Sequence, residues 1–281
     1  MIAVCPNPYR DRDLKITEEV RTLLLSKGYE VAICPLFAEN DSGAIPDNIE
    51  AVPLGSIAHM CSLAVIIGGD GTILSAVREM RDNPVPIIGV NLGTMAFMSA
   101  LEPDELDLIL KAAENKMKIS CRMMLDAELI RNGRVVLSDS ALNDVIIHGH
   151  GDCVKITAWC GDEKMCTYSG DGIILATPTG STGYSMSAGG PIVEPSASNI
   201  IVSPICAHTM SSRSFVLCPD REICIRAEKH HNRKAYLSID GIYATDLENG
   251  DRVVVRKSGH KTLMAETGCK SFYENVYEKL T

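Results

Sequence analysis

Residues 64–74 read AVIIGGDGTIL, an unbroken apolar run that ends in two glycines, an aspartate, a third glycine and a threonine. An apolar run followed by helical spacing from Ile73 is typical of a buried strand that leads into a helix. In parallel sheets, ligands gather at the carboxyl ends of the strands. Asp70 would lie at such an end. It either caps the following helix or faces a ligand, which the glycines would admit through positive φ angles and a bare backbone.

The chain around this stretch alternates strand-like and helix-like segments up to residue 115. Strand-like runs occur at 1–5, 29–36, 63–67 and 85–90, and helical spacing occurs at 13–27, 73–81 and 105–114. A turn is predicted at Asn7-Pro8, directly after the first strand. Strands that alternate with crossover helices predict a parallel sheet with helices on its faces, an α/β layer.

Short β-type segments separated by turn residues replace the helical spacing from residue 119 onward. They lie at 127–131, 135–137, 144–148, 154–159, 172–176, 214–217, 222–227, 235–239 and 252–257. Regular short strands of this kind predict a second, β-rich domain of sandwich type. The last residues return to helical spacing and are expected to fold back onto the first domain. We therefore predict one domain of 1–118 joined by 270–281, and another of 119–269.

The composition limits the classes of function. The chain has 281 residues and a formal net charge of −9, and no basic stripe is interleaved with aromatic residues, which argues against a nucleic-acid groove. No apolar run approaches the ~18 residues of a membrane span, and the opening MIAVCP lacks the pattern of a signal peptide. The 11 cysteines are scattered, without a CxxC pair. We expect a cytoplasmic protein with reduced thiols and no membrane partner.

A second segment with many potential ligand-binding groups is SGDGIILATPTGSTGYSMSAGGP at 169–191. A strand is followed there by a loop with five serine and threonine hydroxyls, a tyrosine and several glycines. Small donors and bare backbone at this density suit ribose and phosphate oxygens. The G-x-S-x-G pattern of a serine hydrolase is absent. The loop therefore predicts a nucleotide-type ligand.

A third segment, Ala-Leu-Asn-Asp at 141–144, places an amide beside a carboxylate at the start of a strand. Such a pair can bind an adenine edge or two ribose hydroxyls. It can equally be a β-turn. The residues alone leave both interpretations open.

Taken together, these segments resemble the NAD kinase family over nearly the whole chain. The motifs are GGDGT at 68–72, N-L-G at 91–93, A-L-N-D at 141–144, D-G-x-x-x-x-T-P-T-G-S-T-x-Y-S-x-S-A-G-G-P at 171–191, and a late Asp-Gly at 240–241. The resemblance implies a Rossmann-like N-terminal domain with a parallel sheet and a β-sandwich-like C-terminal domain. It also implies transfer of the γ-phosphoryl group of ATP to the 2′-hydroxyl of the adenosine ribose of NAD. A divalent metal, usually magnesium and bound mainly through the ATP phosphates, and a homodimer or homotetramer belong to the same expectation.

By the same resemblance, Asp70 is the base that acts on the 2′-hydroxyl. The implied binding residues of the first domain are Gly68, Gly69, Gly71, Thr72, Asn91 and Phe97. Those of the second domain are Asn143, Asp144, Asp171, Thr179, Thr182, Gly183, Tyr184, Ser187 and Asp240. The glycines near Asp70 would admit the triphosphate, Phe97 would pack against adenine, and no protein side chain is expected to bind the metal.

One departure from the family pattern follows the N-L-G motif. Thr94 stands where a basic or larger polar residue is usual, so cationic help from that position is missing. This departure leaves open a catalytically silent NAD(P)-binding regulator. A second alternative is a lipid kinase of the diacylglycerol type. The lipid kinase would share GGDGT but has no reason to carry the T-P-T-G-S-T-x-Y-S sequence.

Overall fold

A computed structural model describes residues 1–37, 49–93, 96–98, 101–151, 153–208, 212–228, 234–268 and 271–280. By its internal contacts the chain divides into two units. One unit comprises Met1–Cys121 with Lys261–Thr281, and the other comprises Arg122–His260.

The helices and strands follow the predicted alternation and then the predicted change to strands. Up to residue 113 they are β1 (Ile2–Pro6), α1 (Lys15–Ser26), β2 (Val31–Ile33), α2 (Leu54–Ile57), β3 (Leu63–Gly68), α3 (Asp70–Glu79), β4 (Ile87–Asn91) and α4 (Leu108–Ala113). The strands that follow are β5 (Lys118–Arg131), β6 (Arg134–Ala141), β7 (Asp144–Gly149), β8 (Val154–Cys160), β9 (Glu163–Gly170) and β10 (Gly172–Ala176). The remaining elements are α5 (Tyr184–Ser187), β11 (Ile200–Ile205), β12 (Phe215–Leu217), β13 (Ile223–Glu228), β14 (Ala235–Ile239), β15 (Ile242–Leu247), β16 (Arg252–Glu266) and α6 (Phe272–Leu280).

The first unit is built on a parallel sheet with the strand order β2-β1-β3-β4. Every residue of β1, β3 and β4 is buried, as expected for strands that are covered on both faces. Val4, Val65 and Ile88 pack in one apolar cluster with Leu24 of α1 and Ile109 of α4. The strands run side by side in register, with Pro6 opposite Ile67 and Gly68 opposite Asn91. Their carboxyl ends therefore lie at one edge of the sheet.

The second unit contains an antiparallel sheet with the order β12-β11-β10-β7-β14-β15. A second antiparallel layer includes β16-β13-β8-β9, and the β5–β6 hairpin joins it through β16. One apolar cluster draws on both layers, with Val145 of β7 and Leu175 of β10 from the first, and Ile156 of β8 and Ile225 of β13 from the second. This arrangement is a β-sandwich, so the predicted fold class is confirmed for both parts of the chain.

Several element boundaries differ from the sequence-based ones. Helix α3 begins at Asp70, three residues before the predicted start, because Gly71 and Thr72 join the first helical turn after the N-cap Gly69. Strands β9, β11 and β15 were not predicted, and each interrupts its apolar pattern with polar residues or a proline. Cross-strand neighbours decide β structure in such segments more than their own propensity does.

A glycine in the six-stranded sheet gives a test of this packing. Gly172 lies in β10 between β7 and β11, where a Cβ atom would lie 2.2 Å from the carbonyl oxygen of Ile147. Gly172→Ala is expected to lower the free energy of unfolding by about 1–3 kcal/mol, because strand backbone has to move. Urea unfolding measures the change. The matched control is Gly259→Ala in β16, where a Cβ atom would meet open space. Equal losses of stability in the two variants would contradict the prediction.

Candidate active site

Asp70 lies directly after β3, at the carboxyl edge of the parallel sheet. It is the first residue of α3, while Gly69 is the N-cap and no side chain caps the helix. The capping interpretation of Asp70 is therefore wrong. The carboxylate instead accepts the backbone N–H of Phe97 at 2.8 Å on Oδ2 and that of Met98 at 3.1 Å on Oδ1. Both carboxylate oxygens are thus oriented by a segment that follows the neighbouring strand β4.

The three glycines around Asp70 serve different purposes. A Cβ atom on Gly68 would lie 2.3 Å from Thr72 Oγ1, so Gly68 allows the strand to pack against the first turn of α3. Cβ atoms on Gly69 and Gly71 would meet open space. Positive φ angles do not explain these residues, since none of the three has one. The expectation of positive φ angles is therefore wrong, and close approach of a ligand to the bare backbone stays a prediction for Gly69 and Gly71.

Asn7 is a residue of this edge that the sequence reasoning missed. Its backbone N–H donates to the carbonyl oxygen of Ile67 at 2.8 Å, which continues the pairing of β1 with β3. Its side-chain Nδ2 donates to Thr72 Oγ1 at 3.2 Å. Asn7-Pro8 indicated only a turn, and the link to GGDGT spans 65 residues, so no local pattern could have revealed it.

Asn91 and Phe97 follow β4 at the same edge of the sheet. The side chain of the buried Asn91 closes a turn, with Oδ1 accepting the N–H of Gly93 and Nδ2 donating to the Gly93 carbonyl oxygen, both at 3.0 Å. The ring of Phe97 lies 5.2 Å from the ammonium nitrogen of Lys279. Thr94 lies outside the described residues. The first unit therefore brings together all the residues that the family resemblance implied for it.

In the second unit, the carboxylate of Asp240 holds the 142–144 segment. It accepts the backbone N–H groups of Leu142 and Asn143, each at 2.7 Å, and that of Asp144 at 3.0 Å. Asp240 adopts a φ of 48°, an uncommon left-handed conformation for a residue with a side chain. Its carboxylate is therefore engaged by protein backbone, and residue 240 shapes the connection from β6 to β7.

Next to this connection, two buried side-chain oxygens have no hydrogen-bond partner among the described residues: Oδ1 of Asn143 and Oγ1 of Thr179. A Cβ atom on Gly180 would lie 2.1 Å from the Asn143 carbonyl oxygen, so Gly180 allows the 179–183 loop to close onto Asn143. Buried polar atoms without partners are costly and call for an explanation. A ligand that supplies hydrogen-bonding groups at this place would satisfy both atoms.

Asp144 is also buried, at 5 % exposure, and lies beside Asp240. Burial raises the pKa of Asp144 to about 7, and the neighbouring Asp240 carboxylate adds to the increase. Burial also raises the pKa of Asp240, but its three N–H donors oppose that rise. We infer that Asp240 keeps the negative charge near neutral pH and that Asp144 takes up the proton.

The remaining predicted residues of the second unit lie on or near α5. Tyr184 begins α5, and burial raises the pKa of its hydroxyl, with smaller contributions from Asp171 and Asp144 among its neighbours. Thr182 Oγ1 donates to the Thr179 carbonyl oxygen at 3.4 Å. A Cβ atom on Gly183 would lie 3.3 Å from the Gly180 carbonyl oxygen, a tight contact, and 3.8 Å from Asn143 Nδ2. Ser187 is exposed at the end of α5, apart from the contacts described above.

The fold and the two groups of polar residues are those of a nucleotide-binding protein. Comparison with known proteins specifies the family. Residues 2–117 match the family model of the ATP-NAD kinase N-terminal domain, and residues 142–267 match that of the ATP-NAD kinase C-terminal domain. The chain belongs to the NAD kinase family, as its motifs indicated.

Relatives with assigned functions match this chain over nearly their whole length. The NAD kinase of Natranaerobius thermophilus is 34% identical over 286 residues, which cover 100% of this chain and 97% of that protein. The NAD kinase of Acetivibrio thermocellus is 33% identical and is covered to 96%, against 99% of this chain.

Two solved structures are similar to the chain. Yeast NADH kinase complexed with NADH has a TM-score of 0.86 at 26% identity, covering 99% of this chain and 86% of that one. An NAD kinase from Archaeoglobus fulgidus in complex with ATP has a TM-score of 0.77 at 22% identity, covering 100% and 98%. At that lower identity the second likeness concerns the fold alone.

The buried carboxyl of Asp144 predicts a pH-dependent stability difference. Because its pKa in the folded state lies above the unfolded value, the folded protein loses stability as pH rises from about 4 to about 7. Asp144→Asn removes this loss. We expect the variant to melt several degrees above the wild type at pH 8, from a difference of at most about 4 kcal/mol, and near it at pH 4.5.

Thermal melts from pH 4.5 to 8 measure this difference. Asp162→Asn, at an exposed turn of the same unit, is the matched control and should follow the wild type at every pH. A difference between Asp144→Asn and the wild type that does not change with pH would contradict the prediction.

Proposed function

We propose that this chain transfers the γ-phosphoryl group of ATP to the 2′-hydroxyl of the adenosine ribose of NAD, with Asp70 as the general base. As a member of the NAD kinase family it is a kinase that phosphorylates NAD, and ATP and NAD are its substrates. The observation that carries the assignment of Asp70 is its carboxylate, which lies at the edge of the parallel sheet and is oriented by two backbone N–H groups.

The reaction requires a hydroxyl oxygen to attack the γ-phosphorus while the bond from that phosphorus to the bridging oxygen of ADP breaks. The proton of the 2′-hydroxyl passes to the Asp70 carboxylate, and ADP leaves with its oxygen. Such transfers depend mainly on positioning and on charge stabilisation. Both Asp70 oxygens accept a backbone N–H, and a carboxylate has about four acceptor positions, so it can also accept a ribose hydroxyl.

The phosphate groups of ATP are expected to lie against the start of α3. Gly69 and Gly71 leave open space there, and the ten-residue helix directs its first N–H groups and its partial positive charge toward an anion. Phe97 is proposed to pack against adenine. Thr72 and Asn91 support the site through the contacts with Asn7 and Gly93 described above.

The second unit is proposed to hold the dinucleotide. The unpartnered oxygens of Asn143 and Thr179 would meet N–H and O–H groups of NAD, and Asp144, whose pKa is raised to about 7, can donate when protonated as well as accept. Asp240 supports this group indirectly, by holding the backbone of 142–144. The other members of the proposed binding group are Asp171, Thr182, Gly183, Tyr184 and Ser187.

Magnesium is proposed to arrive on the phosphates of ATP. Within the part of the chain that the structure describes, three or more His, Cys, Asp or Glu side chains do not gather as a metal-binding cluster. The roles proposed here belong to the protein's own groups.

The assembly, the compartment and the domain boundaries are further proposals. We infer a homodimer or homotetramer in the cytoplasm. Nowhere in the described residues does a helix reach the length and apolar character that crossing a bilayer requires. We also infer a nucleotide-binding domain of 1–118 with 270–281 and an NAD-binding domain of 119–269. The contact units, which change at Cys121 and at Lys261, support this division.

One assay tests the activity against its alternatives. Purified protein is incubated with ATP, magnesium and NAD, and the product is measured with a dehydrogenase that requires NADP. NADP well above a blank without protein is the expected result. NAD binding without NADP formation would indicate the silent regulator, and phosphorylation of diacylglycerol in place of NAD would indicate the lipid kinase.

Replacement of Asp70 tests the base. Asp70→Asn is expected to lower kcat by at least about 100-fold, because the amide cannot accept the hydroxyl proton, while NAD binding is largely kept. Steady-state kinetics and calorimetric NAD titration measure the two quantities. Asp82→Asn, an exposed aspartate shortly after α3, is the matched control and should keep wild-type kcat. A kcat of Asp70→Asn within a few-fold of the wild type would remove Asp70 from this role.

A further inference from the structure

The side chain of Lys279, in the C-terminal helix α6, contacts the ring of Phe97 near Asp70. The helix lies in the first unit and has no buried residue, and Tyr273 and Tyr277 are 67% and 71% exposed. Lys279 differs from these residues because it is half-buried and places its ammonium nitrogen 5.2 Å from the centre of the Phe97 ring. This distance lies within the range of a cation–π interaction.

Phe97 connects this contact to the carboxylate. Its own backbone N–H donates to Asp70 Oδ2 at 2.8 Å, and the next N–H, from Met98, donates to Oδ1 at 3.1 Å. The ring that the lysine contacts and the two donors that orient Asp70 therefore belong to adjacent residues. Fixing the Phe97 side chain restricts the backbone of the same residue, which carries one donor and directly precedes the other.

We propose that Lys279 is a positioning residue for Asp70 and acts through Phe97. The inference rests on the proposed role of Asp70 as the base. The ammonium group holds the ring, the ring holds the 97–98 backbone, and the two N–H groups hold the carboxylate in the plane that accepts the 2′-hydroxyl. The last turn of α6 suits a cation at this place, because the partial charge of a helix C-terminus is negative.

Kinetic measurements distinguish this positioning role of Lys279 from two other roles. A residue that acts through the Phe97 ring changes kcat, and any change that it makes in the KM for ATP disappears when the ring is absent, since Phe97 is also proposed to pack against adenine. A lysine that bound the ATP phosphates directly would raise the KM for ATP, and its effect would not depend on Phe97. If Lys279 only anchored α6, its replacement would change the melting temperature. Arginine would then replace it no better than methionine.

The variants follow from this distinction. Lys279→Met keeps an apolar stem and removes the charge, and Lys279→Arg keeps a cation that can lie over the ring. Lys111→Met is the matched control, since Lys111 is an exposed lysine in the last turn of α4 in the same unit. We expect Lys279→Met to lower kcat by about two- to fivefold, the scale of one cation–π contact. Lys279→Arg and the control should stay near wild type.

A double-mutant cycle tests the route through the ring. In a Phe97→Leu background, Lys279→Met should produce no further fall in kcat, because the contact is already absent. An effect of Lys279→Met that is as large in this background as in the wild type would overturn the proposal. A rise in the KM for ATP that is equally large in the Phe97→Leu background would also overturn it, because the lysine would then act on ATP and not through the ring.

Hydrogen exchange gives a readout that does not depend on activity. Without substrates, the amides of Phe97 and Met98 should exchange about two- to fivefold faster in Lys279→Met than in the wild type, and Lys279→Arg should restore the slower rate. Unchanged exchange in Lys279→Met would overturn the proposed contact. Faster exchange in a protein whose kcat does not change would overturn the positioning role, whereas the base role of Asp70 is tested separately by Asp70→Asn, so the two failures are distinguishable.

Discussion

Parallel pairing of β1, β3 and β4 is the constraint on which the position of Asp70 and its neighbours depends. All three strands are apolar and buried, so they can pair only where helices cover both faces of the sheet. Parallel strands end at the same edge. The residues that follow them, from Asn7 to GGDGT and Asn91, are thereby brought together although the sequence separates them widely.

Carboxylates that accept backbone N–H groups then fix the loops on this framework. Asp70 accepts two such groups from a segment 27 residues away, and Asp240 accepts three from a segment about a hundred residues away. A buried carboxylate needs donors, and loop N–H groups need acceptors, so each satisfies the other. In the first unit the carboxylate fixed in this way is the proposed general base. In the second unit the Asp240 carboxylate is engaged by backbone N–H groups, and its neighbours Asn143 and Asp144 are proposed to bind the ligand.

Much of the fold could be predicted from local patterns, and the omissions have a common cause. The strands of the parallel sheet are continuous apolar runs, so β1, β3 and β4 were predicted to within about two residues. The β11 segment IIVSPI contains a proline, and β9 and β15 mix polar with apolar residues. Such segments become strands because a neighbour pairs with them, as β10 pairs with β11. That information lies in the partner strand and not in the segment.

The sequence by itself determined the fold class, the family and the chemical types of the site residues, because these depend on short motifs and on periodic burial. It also left open whether Asp70 capped a helix, and whether the asparagine and aspartate at 143–144 formed a turn or a binding group. Only the tertiary structure decided these points. It gave the helix cap to Gly69 and the carboxylate of Asp70 to two N–H donors beyond β4. In it the backbone N–H groups of 142–144 donate to the carboxylate of Asp240, and Oδ1 of Asn143 has no hydrogen-bond partner among the described residues. The physical reason is that hydrogen-bond partners far apart in the chain are chosen by the packing of the sheets, which no local pattern encodes.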